Sequence, residues 1–477
     1  MRKHLPRRLL ARRSFLKGLG GTLALAAGTG LVPDFARRLL PSGVALAAPG
    51  DPPDLFFAGT DGWMSLPPGP PISYFHPDSY APAPYTTYIF GFRNVTLLGD
   101  AQRADQKLKA QHTAPLFYLD EFDPSTPATD PLTRRRITDG FWLDLTNLGL
   151  GMRPDLTDAH TVHWHGFRNV ITFFDGEPTG SVAVPVGRRF RYVYRPRDPG
   201  TYMFHCHVED VEHVHMGMTG PVFVRAKQNF TGNGPSVPVA RLGGNAAPGA
   251  PMGYAYNDLD GSTAYDREFA MMLTEVWAEA HWCDAHIQLP EWSDYRPDFA
   301  LLNGRVHPDT LAPNGSIDPF HPVTDPGGDL LPPQPRAGEP AGAWDHLRYQ
   351  PLSALVQCNA GERVLLRFAN LGFREASMTL AGLRMRVVGK DATPMKGRDG
   401  TPTGYEAQTV NFGAGESIDA IFTAPPVTAP TTYLLFNRSL KRSANLAGGF
   451  GGQMTEVRVY PAGTVPPQTI PNEQFDL

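Results

Sequence analysis

The chain has 477 residues, 41% hydrophobic and 19% charged, and its 49 Gly and 48 Pro make up about a fifth of it, against roughly 12% in an average protein. With 10% aromatic residues, no Gly-X-Y period, no sustained heptad and no shortage of apolar side chains, collagen, coiled coil and global disorder are excluded, and short strands joined by many turns are favoured. The formal net charge of −4 conceals a basic N-terminus, where residues 1–47 hold nine Lys/Arg and one acid; the rest is acidic, which argues against a nucleic-acid groove.

In chain order, Arg12-Arg13-Ser14-Phe15-Leu16-Lys17 precedes a weakly apolar stretch from Gly18 to Val32, and Ala45-Leu46-Ala47 offers small residues for cleavage. Residues 1–47 resemble a twin-arginine signal peptide, so the mature protein is expected to be periplasmic or extracellular. No stretch is apolar for long enough to span a membrane. Residues 48–84 read as an irregular Pro/Gly-rich arm. From 85 to 227 come strand-like runs: Tyr88–Phe92, Phe141–Asn147, Arg189–Tyr194 and Gly220–Val224. Residues 228–260, rich in Gly, Ala, Pro and Asn, read as a linker. From 261 to 477 a second run follows, with strands expected at Glu268–Trp277, Arg363–Phe368, Leu383–Val388, Ser417–Phe422 and Thr455–Tyr460, and a loop insertion near 311–344. The fold class is therefore all-β, with two β-sandwich domains. Of three cysteines, Cys206, Cys283 and Cys358, the latter two are free to pair if Cys206 is committed elsewhere.

Seven of the fifteen histidines fall in two short windows of the first domain. One reads His160-Thr161-Val162-His163-Trp164-His165-Gly166; the other runs from Gly200-Thr201-Tyr202-Met203-Phe204-His205-Cys206-His207 to His213, His215, Met216 and Met218. Residues i and i+2 of a strand share a face. His163 and His165 therefore point one way, as do His205 and His207, while Trp164 and Cys206 point the other. Two such pairs on neighbouring strands would converge four imidazoles, and the opposite face could hold a separate metal. A thiolate, two imidazoles and a weak thioether form the ligand set of a blue-copper site.

His-Trp-His-Gly, followed by Gly-Thr-Tyr-x-x-His-Cys-His and a closing Gly-Met, resembles the multicopper oxidase family, which is built of cupredoxin domains. Asn303-Gly304-Arg305-Val306-His307-Pro308-Asp309-Thr310, Leu366–Gly372 and Gly389–Pro394 resemble its copper-free domain. The resemblance implies two cupredoxin-like Greek-key sandwiches and copper as the cofactor. It places His160, Cys206, His213 and Met218 as type 1 copper ligands, and His163, His165, His205 and His207 as ligands of a type 2/type 3 cluster. The longer loop after Cys206 leaves His215 and Met216 as rivals, but His213 with Met218 keeps the family's separation of five. Catalysis would rest on Cys206, His205 and His207. A small-molecule or protein donor would reduce type 1 copper at the exposed edge of His213, and dioxygen would be reduced at the cluster.

A full cluster of this family uses four His-x-His pairs, and the sequence holds two. The cluster is then incomplete, or pairs from neighbouring subunits meet at a symmetry axis, as in a homotrimer. Two alternatives stay open: an electron-transfer protein with type 1 copper alone, and a copper nitrite reductase. Asp175, Glu177, Glu209, Asp210 and Glu212, beside the motifs, read as a solvated acidic loop. Trp164, Phe173 and Phe174 read as packing, and His76, His112, His281, His286, His307, His321 and His346 as ordinary surface or core histidines.

Overall fold

The structure, a computed structural model, describes residues 52–123, 140–234, 236–245 and 249–477; the expected export signal lies outside them. Two β-sandwiches form one compact unit.

The first sandwich contains β1 (Leu55–Met64), β2 (Thr87–Asn94), β3 (Phe117–Asp120), β4 (Phe141–Asn147), β5 (His163–His165), β6 (Arg189–Tyr194), β7 (Gly200–His205) and β8 (Thr219–Arg225). One sheet runs β2-β1-β4-β6 and the other β3-β8-β7-β5, with β1/β4 and β3/β8 paired in parallel. Alternation along β4 explains its placement. Phe141, Leu143 and Leu145 enter the core, while Asp144 and Trp142 on the other face meet Arg191, which pairs with the carboxylate at 2.6 Å and lies over the indole. Between the sheets, the rings of Phe57, Phe92, Phe117 and Phe204 pack with centroids 5.1–6.4 Å apart.

The second sandwich has a six-strand path of β12 (Phe299–Leu302), β11 (Arg267–Val276), β14 (Arg363–Asn370), β20 (Ser417–Thr423), β16 (Met385–Lys390) and β17 (Thr393–Pro394), with β18 (Tyr405–Ala407) also on β16. Its facing sheet runs β13 (Val356–Asn359), β22 (Met454–Tyr460), β21 (Thr431–Asn437), β15 (Ala376–Leu380) and β19 (Thr409–Phe412). A hairpin of β9 (Gly253–Tyr254) and β10 (Ala264–Tyr265) precedes it.

One expected segment is structured differently and two others are packed onto the sandwiches. The arm 48–84 is not irregular throughout, because β1 lies within it as a fully buried central strand. Its glycines sit where other chain presses close: a Cβ on Gly62 would lie 2.7 Å from Ala110 N. The linker 228–260 is docked, with Gln228 Nε2 donating to Asp258 Oδ1 at 2.7 Å and Tyr254 N to Asn229 Oδ1 at 2.6 Å. The insertion near 311–344 is a strap over the first sandwich. Phe320 packs on Tyr118 and Phe141, and Arg93 and Asn94 donate to Gly328 O and Pro319 O.

The sandwiches meet through a buried polar seam. Arg367 on β14 donates to Glu268 on β11 at 3.0 Å and lies 3.4 Å from Asp419 on β20. Asp419 also accepts from Thr201 of β7 at 2.5 Å and from Tyr256 at 2.6 Å. Cys283 and Cys358 are buried and unpaired.

Candidate metal centres

The antiparallel pairing of β5 with β7 sets His163 opposite His205 and Trp164 opposite Phe204. One face therefore collects imidazoles, and the other sends Trp164 and Cys206 into the aromatic core. Two separate donor sets result, joined through the backbone of residues 205–207.

The first set is sealed. His160, Cys206 and His213 are buried, and their donor atoms lie within 4.8 Å of one another. Cys206 Sγ is 3.3 Å from His213 Nδ1 and 3.9 Å from His160 Nδ1, so both imidazoles turn the same nitrogen to the sulfur. His213 comes from helix α1 (Asp210–Met216), and the turn after it returns Met218, whose carbonyl accepts from Cys206 N at 3.1 Å. Met218 and His160 both lie over Gly59 of β1, where an added Cβ would stand 3.5 Å from Met218 Cε and 2.7 Å from His160 Cδ2. Burial alone would push the Cys206 thiol up, but the adjacent His213 and His160 reverse this and hold it well below the ordinary thiol range. Burial likewise opposes charge on His213, yet the Cys206 thiolate and Asp158 raise its pKa to about 10. A buried thiolate-ready sulfur flanked by two ring nitrogens, with a thioether beside them, fits copper of the blue type.

One expectation about this set changes, and its two rival ligands lie elsewhere. His213 has no exposed edge: it is 0% accessible, and its Nε2 faces Asp158 Oδ2 at 3.8 Å. His213 sits within helix α1, whose first turn is acidic. The rival His215 points away, accepting from Trp277 N at 3.1 Å among the rings of His281, Trp292 and Tyr295. Met216 is buried in the core of the first sandwich.

The second set contains His163, His165 and His205, whose donor nitrogens also lie within 4.8 Å of one another. Backbone carbonyls fix two of the rings. His163 Nδ1 donates to Asp175 O and His205 Nδ1 to Cys206 O, each at 2.8 Å, which leaves both Nε2 atoms as acceptors. His165 turns Nδ1 toward His205 Nε2 at 3.4 Å, while its Nε2 faces Gly415 of the second sandwich. Burial lowers the pKa of His163 and His165 and brings that of His205 to about 3, so these rings are neutral and able to ligate near pH 7. His207 stands beside them, its ring 4.9 Å from that of His163 and 5.4 Å from that of His205, with its N–H bonded to Thr161 Oγ1 at 2.9 Å.

Sequence reasoning missed the supports of both sets. Asp175, read as part of an acidic loop, acts through its carbonyl, and no side-chain pattern announces that. Gly59 and Gly415 act by having no side chain.

Among the described residues, no helix is long and apolar enough to cross a membrane. Residues 146–229 and 282–460 match two family models, each described as multicopper oxidase, and together these span more than half of the chain. Among curated proteins none matches. The chain is similar to the solved structure of a blue copper oxidase from Nitrosomonas europaea, with 17% identity over 85% of each chain and a TM-score of 0.49. The multicopper oxidase mgLAC is 17% identical over 87% of each chain, with a TM-score of 0.49. A copper nitrite reductase from Nitrosomonas europaea is 13% identical over 87% of this chain and 95% of its own, with a TM-score of 0.46.

Proposed function

The chain belongs to the multicopper oxidase family and is a copper-dependent oxidoreductase, and we propose from its two donor sets that it carries electrons from an external reductant to dioxygen. The observation that carries this reading is the position of Cys206. Its sulfur lies in one set, while the residues bonded to it on either side, His205 and His207, stand at the other. An unbroken covalent path through the backbone fixes the coupling between the sets without any docking step. Copper held by His160, Cys206, His213 and Met218 would supply one-electron exchange, and copper at the second set the site for the acceptor.

The chain's own residues prepare both ends. The Cys206 thiol is prepared for metal by His213 and His160, which hold it well below the ordinary thiol range against the opposing effect of burial. Asp175 O and Cys206 O hold the protons of His163 and His205 on the outer nitrogens, so the inner nitrogens stay free. The buried ring of His213 means that a donor, small molecule or protein, meets partly exposed Asp158, which its Nε2 faces at 3.8 Å, rather than the ligand itself. The Arg12-Arg13 motif supports export by the twin-arginine route, and hence a periplasmic or extracellular place of work.

The test is oxygen uptake by the copper-loaded protein with a one-electron organic reductant, followed together with its visible spectrum. Uptake that disappears in His205→Ala while the blue colour remains supports the reading. Blue protein that bleaches with reductant and is not recoloured by air identifies an electron carrier. Turnover that needs nitrite instead of dioxygen identifies a nitrite reductase.

A further inference from the structure

The family's oxygen site takes eight imidazoles, and this chain's second set does not supply them. We infer that the second centre is mononuclear and complete within one chain, held by His163, His165 and His205, with His207 outside the ligand set. This rests on the copper reading above and narrows it.

The first argument is local. Three donor nitrogens within 4.8 Å of one another enclose a single point, and a metal–imidazole bond of about 2 Å places one ion there. His207 is not part of that convergent set. Its ring lies against those of His163 and His205, and its backbone is tied to Thr161 on the preceding segment. One ion thus takes up the three converging nitrogens, and a second or third would have His207 alone.

The second argument is global. Each remaining described histidine is committed elsewhere. His76 faces Pro67 O, His112 faces Thr274, His281 faces Tyr88 O and His286 faces Asp78. His307, His321 and His346 pair with Thr310, Asp318 and Asp309. His215 accepts from Trp277 N among the rings of His281, Trp292 and Tyr295. A homotrimer closes head to tail, so its interface joins one surface of a subunit to a different surface of the next. The described residues present no second histidine pair for such a surface. The second sandwich contributes backbone at this site: Gly415, at φ +80°, presses on the His165 ring, and a Cβ there would lie 2.8 Å from His165 Nε2.

The experiment is copper per chain, measured on the copper-loaded, dialysed full-length protein, together with its electron-spin spectrum. Wild type should hold two coppers and Cys206→Ser one, the latter giving a spin signal split by three nitrogens. His205→Ala should keep only the blue copper. His207→Ala and His207→Gln should keep both coppers with the three-nitrogen pattern unchanged. Three or more coppers per chain, an additional spin-silent pair, a stoichiometry that depends on trimer formation, or loss of the second copper in both His207 variants overturns the inference. A single blue copper in wild type also overturns it while leaving the thiolate site standing; no copper in any variant sinks the copper reading itself.

Discussion

The two sandwiches share an architecture and fill it differently. The first is packed with rings, among them Phe57, Phe90, Phe92, Phe117, Trp164, Tyr192, Tyr194 and Phe204. The second is packed mainly with aliphatic side chains, among them Leu366, Met378, Leu380, Val387, Val410, Val457 and Val459. In the first, a central strand contains glycines and a buried Asp61 that accepts from Tyr88 Oη at 2.7 Å and from Met152 N and Gly151 N at 2.8 Å. The difference shows where the chemistry is carried. Large rings hold a loop of ligands rigid around Cys206, and Gly59 makes room for two of them. The second sandwich has no such demand and packs as an ordinary core, supplying a seam and a backstop.

If the first sandwich carries the chemistry and its rings carry the fold, the two separate on mutation. Cys206→Ser should abolish the blue absorption and oxidase turnover completely, while thermal unfolding remains cooperative and shifts little, because core stability rests on apolar burial. Absorption and melting of the same sample decide it: retained colour refutes the ligand assignment, and an unfolded variant refutes the separation.

The converse change strikes the seam. Arg367→Met would leave Glu268 and Asp419 without their shared cation in a site closed to water. Breaking a buried pair from one side costs about 3–5 kcal/mol. Denaturant unfolding should show that loss with the blue band of the surviving folded protein unchanged. A loss under about 1 kcal/mol would mean that Arg225, whose guanidinium lies 3.7 Å from Glu268, takes over.

These two changes also mark what the sequence reveals. The histidine windows were legible because ligand chemistry demands particular side chains at fixed spacing, and β4 and β6 were placed to the residue by their β-rich composition. β1 was hidden because Gly59, Asp61 and Gly62 answer to neighbours far along the chain. The seam was hidden for the same reason: Glu268, Arg367 and Asp419 look like solvent-facing charges on three separate strands, and only the docking of Thr201 and Tyr256 makes them interior. The burial of His213 could not be read from the ligand spacing either, since it depends on where the chain around Asp158 lies.

A smaller effect tests the packing between the sandwiches. His281, on α2 (Ala278–Ala285), is buried and bonded through Nδ1 to Tyr88 O, and burial lowers its pKa from 6.5 to about 4. The unfolded chain takes up this proton more readily than the folded one. Its contribution to stability is therefore whole above about pH 6.5 and is lost as pH falls toward 4, amounting to about 3 kcal/mol over that span. His281→Asn keeps a donor near Tyr88 O and removes the titration. Unfolding free energies between pH 6.5 and 4 should fall less steeply in the variant, and parallel slopes would refute the assignment.

The smallest expected effect asks whether the second sandwich reaches the second donor set through backbone alone. Gly415→Ala places a methyl 2.8 Å from His165 Nε2 at a residue with φ +80°. The strained backbone costs about 1–2 kcal/mol, and the His165 ring must tilt, because Gly415 itself is held by a hydrogen bond from its N–H to Asn370 O at 2.7 Å. Copper at His163, His165 and His205 should bind more weakly and show an altered spin signal, with the blue band unmoved. A change confined to the blue band would place Gly415's influence on the wrong set. Equal disturbance of both would show that the seam, rather than this one contact, transmits the effect.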